Sequence, residues 1–165
     1  MKIELQAVSK SYGRVRALDR ASLEIGPGQI VAILGANGAR KTTLLRCLAG
    51  IAAPHSGALQ YNEESFSRDR LDLRRRMAFL PDFPVLFYEM SVLRHIGMML
   101  RLYGAETQGI EGRVLDLLKE FDIFSVAENP LHTLSRGQIY KAALVGVIAV
   151  NPEVWMLDEP FASGM

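Results

Sequence analysis

One cysteine, Cys47, occurs in 165 residues, so no disulfide can close within the chain, which suits a reducing compartment. Neither sign of charge is in excess. Nineteen Lys and Arg stand against 18 Asp and Glu, for a net charge of +1, and nothing in that balance marks a polyanion partner such as nucleic acid. Long apolar runs are missing too. The best is AALVGVIAV at 142–150, far short of the roughly 18 residues that cross a bilayer, so a membrane role would need a partner. The opening MKIELQAVSKSYG alternates apolar and polar residues and has no apolar stretch of the signal-peptide kind. Internal repeats and low-complexity tracts are likewise absent. What is present, 49% apolar and 22% charged residues, is globular, and the length fits one ordinary domain or part of a larger one.

The spacing of apolar residues orders the chain. Residues 1–13 and 17–25 alternate with period two and read as strands, with GPGQ at 26–29 a turn. QIVAILG at 29–35 is a short β-branched run of the kind buried on both faces of a sheet. KTTLLRCLAG at 41–50 has helical spacing and stops at Gly50. Further strands are expected at 56–62 and 76–81, with the charge-rich RDRLDLRRR at 68–76 between them reading as a solvated helix face. The character then changes. Residues 91–104 predict a helix with Val92, Ile96, Met99 and Tyr103 on one face, and 109–124 a second with Ile110, Val114, Leu117 and Phe121. Residues 137–150 predict a third, largely buried helix, and PEVWMLDEP at 152–160 an apolar strand ending in two carboxylates. Strands alternating with helices imply an α/β fold with a mainly parallel sheet, whose ligand site lies beyond the carboxyl ends of the strands.

Three segments carry chemistry. The first is GANGARKTT at 35–43. A phosphate-binding loop needs backbone N–H groups converging at the start of a helix, whose dipole favours anions. Gly35, Gly38, Lys41 and Thr42 stand at the matching spacing; Lys41 supplies charge to the outer phosphates and Thr42 a hydroxyl for Mg²⁺. The second is VWMLDEP at 154–160, a strand that brings Asp158 to the metal shell and Glu159 to a water facing the terminal phosphate. Alone, such a pair reads equally well as a helix cap or turn. The third is LSRGQ at 134–138, which opens a helix; its Ser and Gly can contact phosphate, or Ser135 can serve as an N-cap.

In this order, over essentially the whole chain, the three resemble an ABC-type ATPase, the nucleotide-binding domain of ABC transporters. GANGARKTT resembles the Walker A motif, LSRGQ the family signature and WMLDEP Walker B. The resemblance implies a P-loop NTPase (RecA-like) core with a mainly parallel sheet, an N-terminal antiparallel β part and an inserted helical subdomain. That is one domain over 1–165, incomplete at its C-terminus, with the core at 1–84 and 139–165 and the helical subdomain at 85–138. It implies ATP and Mg²⁺ as cofactors, with Lys41 and Glu159 catalytic. Tyr12 would stack on adenine, and Gly35, Asn37, Gly38, Ala39, Arg40, Lys41, Thr42 and Thr43 would hold phosphate. Thr42 and Asp158 would ligate the metal, joined by Asp82 of FLPDFP at 79–84, where the family has its Q-loop. It also implies a cytoplasmic subunit, peripheral at the inner face of the membrane through a transmembrane permease subunit. A second ABC ATPase domain would pair head to tail, so that Ser135, Gly137 and Gln138 of one copy cap the γ-phosphate held by Lys41 of the other.

Two departures from the family stand out. Arg40 occupies a glycine position: its Cβ can strain the backbone, its bulk can push the loop off the phosphates, or its guanidinium can bind phosphate itself. The expected net effect is weaker binding or turnover. The second departure is the end of the chain. FASGM at 161–165 resembles the start of the family's D-loop without the Asp that follows, and His55, His95 and His132 all precede Walker B, so none is the switch histidine. The missing strands would leave raw sheet edges. The alternative function is therefore a degenerate or truncated nucleotide-binding remnant. A chromosome ATPase of the same superfamily would insert a long coiled coil between Lys41 and Ser135, and no sustained heptads occur there.

Overall fold

The computed structural model describes residues 1–35 and 40–159, which fall into two compact units, Met1–Phe79 and Leu80–Met165. The first begins with the expected hairpin, β1 (Ile3–Tyr12) and β2 (Val15–Ile25), paired Ile3 to Ile25 and Leu5 to Leu23. The alternation explains the pairing: Ile3 and Leu5 point to one face and are buried. The ladder then slips. Ala7 and Arg20 take left-handed backbone conformations, and serine hydroxyls accept the N–H groups this frees, Ser22 Oγ from Ala7 and Ser9 Oγ from Arg20, both at 3.0 Å. Helix α1 (Arg40–Leu48) follows, and then β3 (Ser56–Tyr61) and the short β4 (Glu64–Ser65) complete a sheet in the order β2-β1-β3-β4. Its core gathers Ile3, Leu5, Val8, Leu59 and Tyr61.

Tyr61 is fully buried, and its hydroxyl donates to the Leu48 carbonyl at the end of α1 at 2.5 Å. Burial pushes its phenol well above the usual range. Tyr61→Phe removes the donor and leaves that carbonyl without it, so a loss of about 1–2 kcal/mol in urea unfolding is expected; no loss would mean the bond contributes nothing.

The charge-rich stretch folds as one helical turn, α2 (Leu71–Arg74), tied by Arg70 to Glu64 and Asp72 at 2.5 and 2.7 Å. One expectation is overturned here. Residues 29–35 form no strand, and Ile30 and Leu34 are 101% and 91% exposed. A strand buried on both faces also needs a neighbour on each edge, and no described segment pairs with this one.

In the second unit the helices form as the periodicity predicts. Ser91 caps α3 (Val92–Tyr103) by accepting from Arg94 N–H, and left-handed Gly104 ends it. Helices α4 (Ile110–Glu120) and α5 (Arg136–Val150) follow. The buried stripes are turned slightly from those expected. Val92, Ile96 and Leu100 are buried in α3, and Val114, Leu117 and Leu118 in α4, while Met99, Tyr103, Ile110 and Phe121 pack partly buried at the margin. Helix α5 runs through the middle of this core, with Gly146 so close to α3 that a Cβ would stand 2.6 Å from Met99 Sδ. Strand β5 (Met77–Leu80), whose last residue belongs to this unit, neighbours β6 (Val154–Leu157) in a parallel pair. Asp158 N–H donates to the Leu80 carbonyl at 2.9 Å, which fixes where the two strands end.

Candidate functional site

In the first unit Arg40, Lys41, Thr42 and Thr43 open α1. Asn37, Gly38 and Ala39 lie outside the described residues. The Lys41 ammonium donates to the Gly35 carbonyl at 2.8 Å. Thr42 is half-buried and Thr43 buried. Arg40 is the first residue of the helix and is exposed; its backbone is helical and absent from the left-handed positions. Of the three consequences weighed for it, backbone strain is thereby removed. What it adds is a second cation beside Lys41 at a helix N-terminus, an unfavourable place for a cation alone and a favourable one beside an anion. Tyr12 closes β1, half exposed, with Lys10 Nζ 5.5 Å from its ring centre.

In the second unit the residues come together at the carboxyl ends of β5 and β6. Asp158 directly follows β6 and is only 5% exposed. Glu159 is exposed and takes a left-handed backbone, φ 50°, rare for a residue with a side chain. From the loop after β5, Asp82 Oδ1 lies 3.0 Å from Arg136 Nη2, and the guanidinium stacks 3.9 Å from the centre of the Phe83 ring. One turn on from Arg136, Tyr140 packs on Leu80 and Ala143. Burial first, and then the carboxylates of Asp82 and Asp158, push its phenol up.

Ser135 caps α5 in full: its hydroxyl oxygen accepts from Gln138 N–H at 3.3 Å, and Gln138 Oε1 accepts from Ser135 N–H at 2.9 Å. The capping role weighed for Ser135 is thus real, and it leaves the hydroxyl hydrogen available, since the oxygen acts as acceptor. Gly137 has open space where a Cβ would stand, so nothing among the described residues demands a glycine there. His55 and His132 are exposed, and His95 is buried, where desolvation lowers its basicity. Sequence reasoning missed Arg136, Phe83 and Tyr140. The signal for Tyr140 was faint: a lone hydroxyl-bearing ring in an otherwise apolar helix, four residues after a charge.

The family described as ABC transporter matches residues 18–162. The chain belongs to the ABC transporter family. Over 99% of its length this ABC chain is 35% identical to the sulfate/thiosulfate import ATP-binding protein CysA of Nitrosomonas europaea, and over 96% it is 30% identical to the ABC-type transporter ATP-binding protein EcsA of Bacillus subtilis. It spans 46% and 64% of those two proteins. A solved ATP-binding subunit of an ABC transporter superimposes with a TM-score of 0.89 at 27% identity, over 99% of this chain and 68% of that one. The α/β architecture expected from the sequence, an antiparallel N-terminal sheet with a parallel pair and helices, is thus that of the family.

Proposed function

We propose that this chain binds and hydrolyses ATP as the cytoplasmic ATPase subunit of a membrane transporter. The observation that carries the reading is the family match spanning all three motifs, from the Lys41 loop to the carboxylates after β6. Lys41 and the amides at the start of α1 hold phosphate, with Arg40 as a further cation, and Tyr12 offers its exposed face to the base. The Thr42 hydroxyl and the Asp158 carboxylate are hard oxygen donors that fit Mg²⁺. When bound, that ion neutralises charge on the phosphates. Glu159, exposed beside Asp158, accepts the proton of the attacking water. Asp82 is a metal contact only once it leaves Arg136. Ser135, with its free hydroxyl hydrogen, and Gly137, with open space above it, serve the nucleotide of a second ABC ATPase domain set head to tail. A permease subunit holds the pair at the membrane; no helix among the described residues is long and apolar enough to cross it.

Because Arg40 costs no backbone strain, affinity for MgATP should change by less than about fivefold in Arg40→Gly, while Lys41→Ala should weaken it by about 10–100-fold through loss of charge-assisted bonds. Isothermal titration of the three chains decides. Equal binding by parent and Lys41→Ala would remove the reading; a large gain in Arg40→Gly would favour the impaired remnant.

A further inference from the structure

Among the described residues the Tyr140 hydroxyl is the buried side-chain polar atom left without a hydrogen-bond partner. Tyr140 is 7% exposed, so the hydroxyl is withdrawn from water as well. A buried donor without an acceptor carries the full cost of its desolvation, and phenylalanine would fill the same space without it. The surroundings say what the hydroxyl is for. The ring packs with Leu80 and Leu157, the last residues of β5 and β6. Asp158 is the next residue after Leu157, is itself buried, and is tied to Leu80 through its backbone. The other carboxylate at this end, Asp82, already has a donor in Arg136 at 3.0 Å, one helical turn before Tyr140. Arg136 and Tyr140 stand four residues apart on α5; the charges of both carboxylates act on the Tyr140 phenol, and Asp82 is served by Arg136.

We propose that Tyr140 is a positioning residue whose hydroxyl donates to the Asp158 carboxylate when Mg²⁺ and nucleotide are bound, orienting the free oxygen of that carboxylate toward the metal. No proton is transferred. One carboxylate oxygen accepts from the phenol while the other faces the ion, the arrangement by which partners behind a ligand set its orientation. Asp82 does not substitute, because Arg136 holds it.

The inference rests on the nucleotide-binding reading above, and one experiment separates them. The full chain, Tyr140→Phe and Lys41→Ala are titrated with MgATP and with ATP in EDTA, and their thermal midpoints are recorded without ligand. Tyr140→Phe is expected to melt no lower than the parent, to bind metal-free ATP equally well, and to bind MgATP about tenfold more weakly, the effect of one hydrogen bond to a charged group. The same tenfold loss is expected on an Asp82→Ala background. Unchanged MgATP affinity, or an equal loss for metal-free ATP, overturns the role of Tyr140. Disappearance of the effect in Asp82→Ala overturns it in favour of Asp82 as acceptor. If the parent binds no better than Lys41→Ala, the nucleotide reading and this one fall together.

Discussion

Gly57→Ala should cost the first unit about 3 kcal/mol or more in urea unfolding. Two independent terms add. Gly57 has φ 90°, a conformation costly by roughly 1–2 kcal/mol for a residue with a β-carbon. A Cβ there would also stand 2.5 Å from the Gln6 carbonyl oxygen, 2.6 Å from that of Ala7 and 2.6 Å from Val8 Cα. All three are backbone atoms, so no side chain can swing aside, and overpacking of this kind costs roughly 1–3 kcal/mol. The reason for the crowding is the slip in β1 between Gln6 and Ser9, which pushes its backbone against the start of β3. A loss under about 1 kcal/mol would mean that the slip can relax and that the β1–β3 contact is softer than its geometry implies.

The second large effect is on chemistry and follows from the ATPase proposal. Glu159→Gln should lower kcat for MgATP hydrolysis by about 10²–10³-fold and leave MgATP affinity within about threefold. General-base assistance contributes rate by roughly this factor. The amide keeps the size of the carboxylate and cannot take a proton. Both residues must tolerate the φ of 50° at this position, so the comparison isolates the proton-accepting oxygen from the backbone strain. Steady-state hydrolysis beside a titration of MgATP separates the two parameters. A kcat unchanged by the substitution would move the base elsewhere; a matching loss of affinity would make Glu159 a binding residue.

The sequence made the helices legible because each carries its own evidence. The period of Val92, Ile96, Val114 and Leu117 needs no knowledge of the rest of the chain, and Ser91 and Gly104 mark the ends of α3. The exact stripe was less legible. Leu100 and Leu118 take the buried places beside the positions expected, because which flank of a helix is covered depends on how α5 lies against it. QIVAILG shows the opposite case. Its composition speaks for a strand, yet a strand exists only through its neighbours, and composition cannot supply an edge. The same distinction divides the candidate residues. Lys41, Thr42, Asp158 and Ser135 were singled out from local spacing. The Asp82–Arg136 pair joins residues 54 apart, and the orphan hydroxyl of Tyr140 became visible only once the strand ends around it were in place.

Each unit joins partners that lie far apart in the chain. In the second unit α3 packs on α5, past the whole of α4, and Met99 meets Gly146. In the first, Ile3 must find Tyr61, and the sheet cannot close until the whole of α1 has been bridged. The entropy of closing a loop grows with its length, and chains rich in local contacts reach their native contacts sooner. The β1–β2 hairpin, whose strands are joined by Gly13 and Arg14 alone, is therefore the part of this chain that can assemble early, before β3 closes on β1 and α5 on α3.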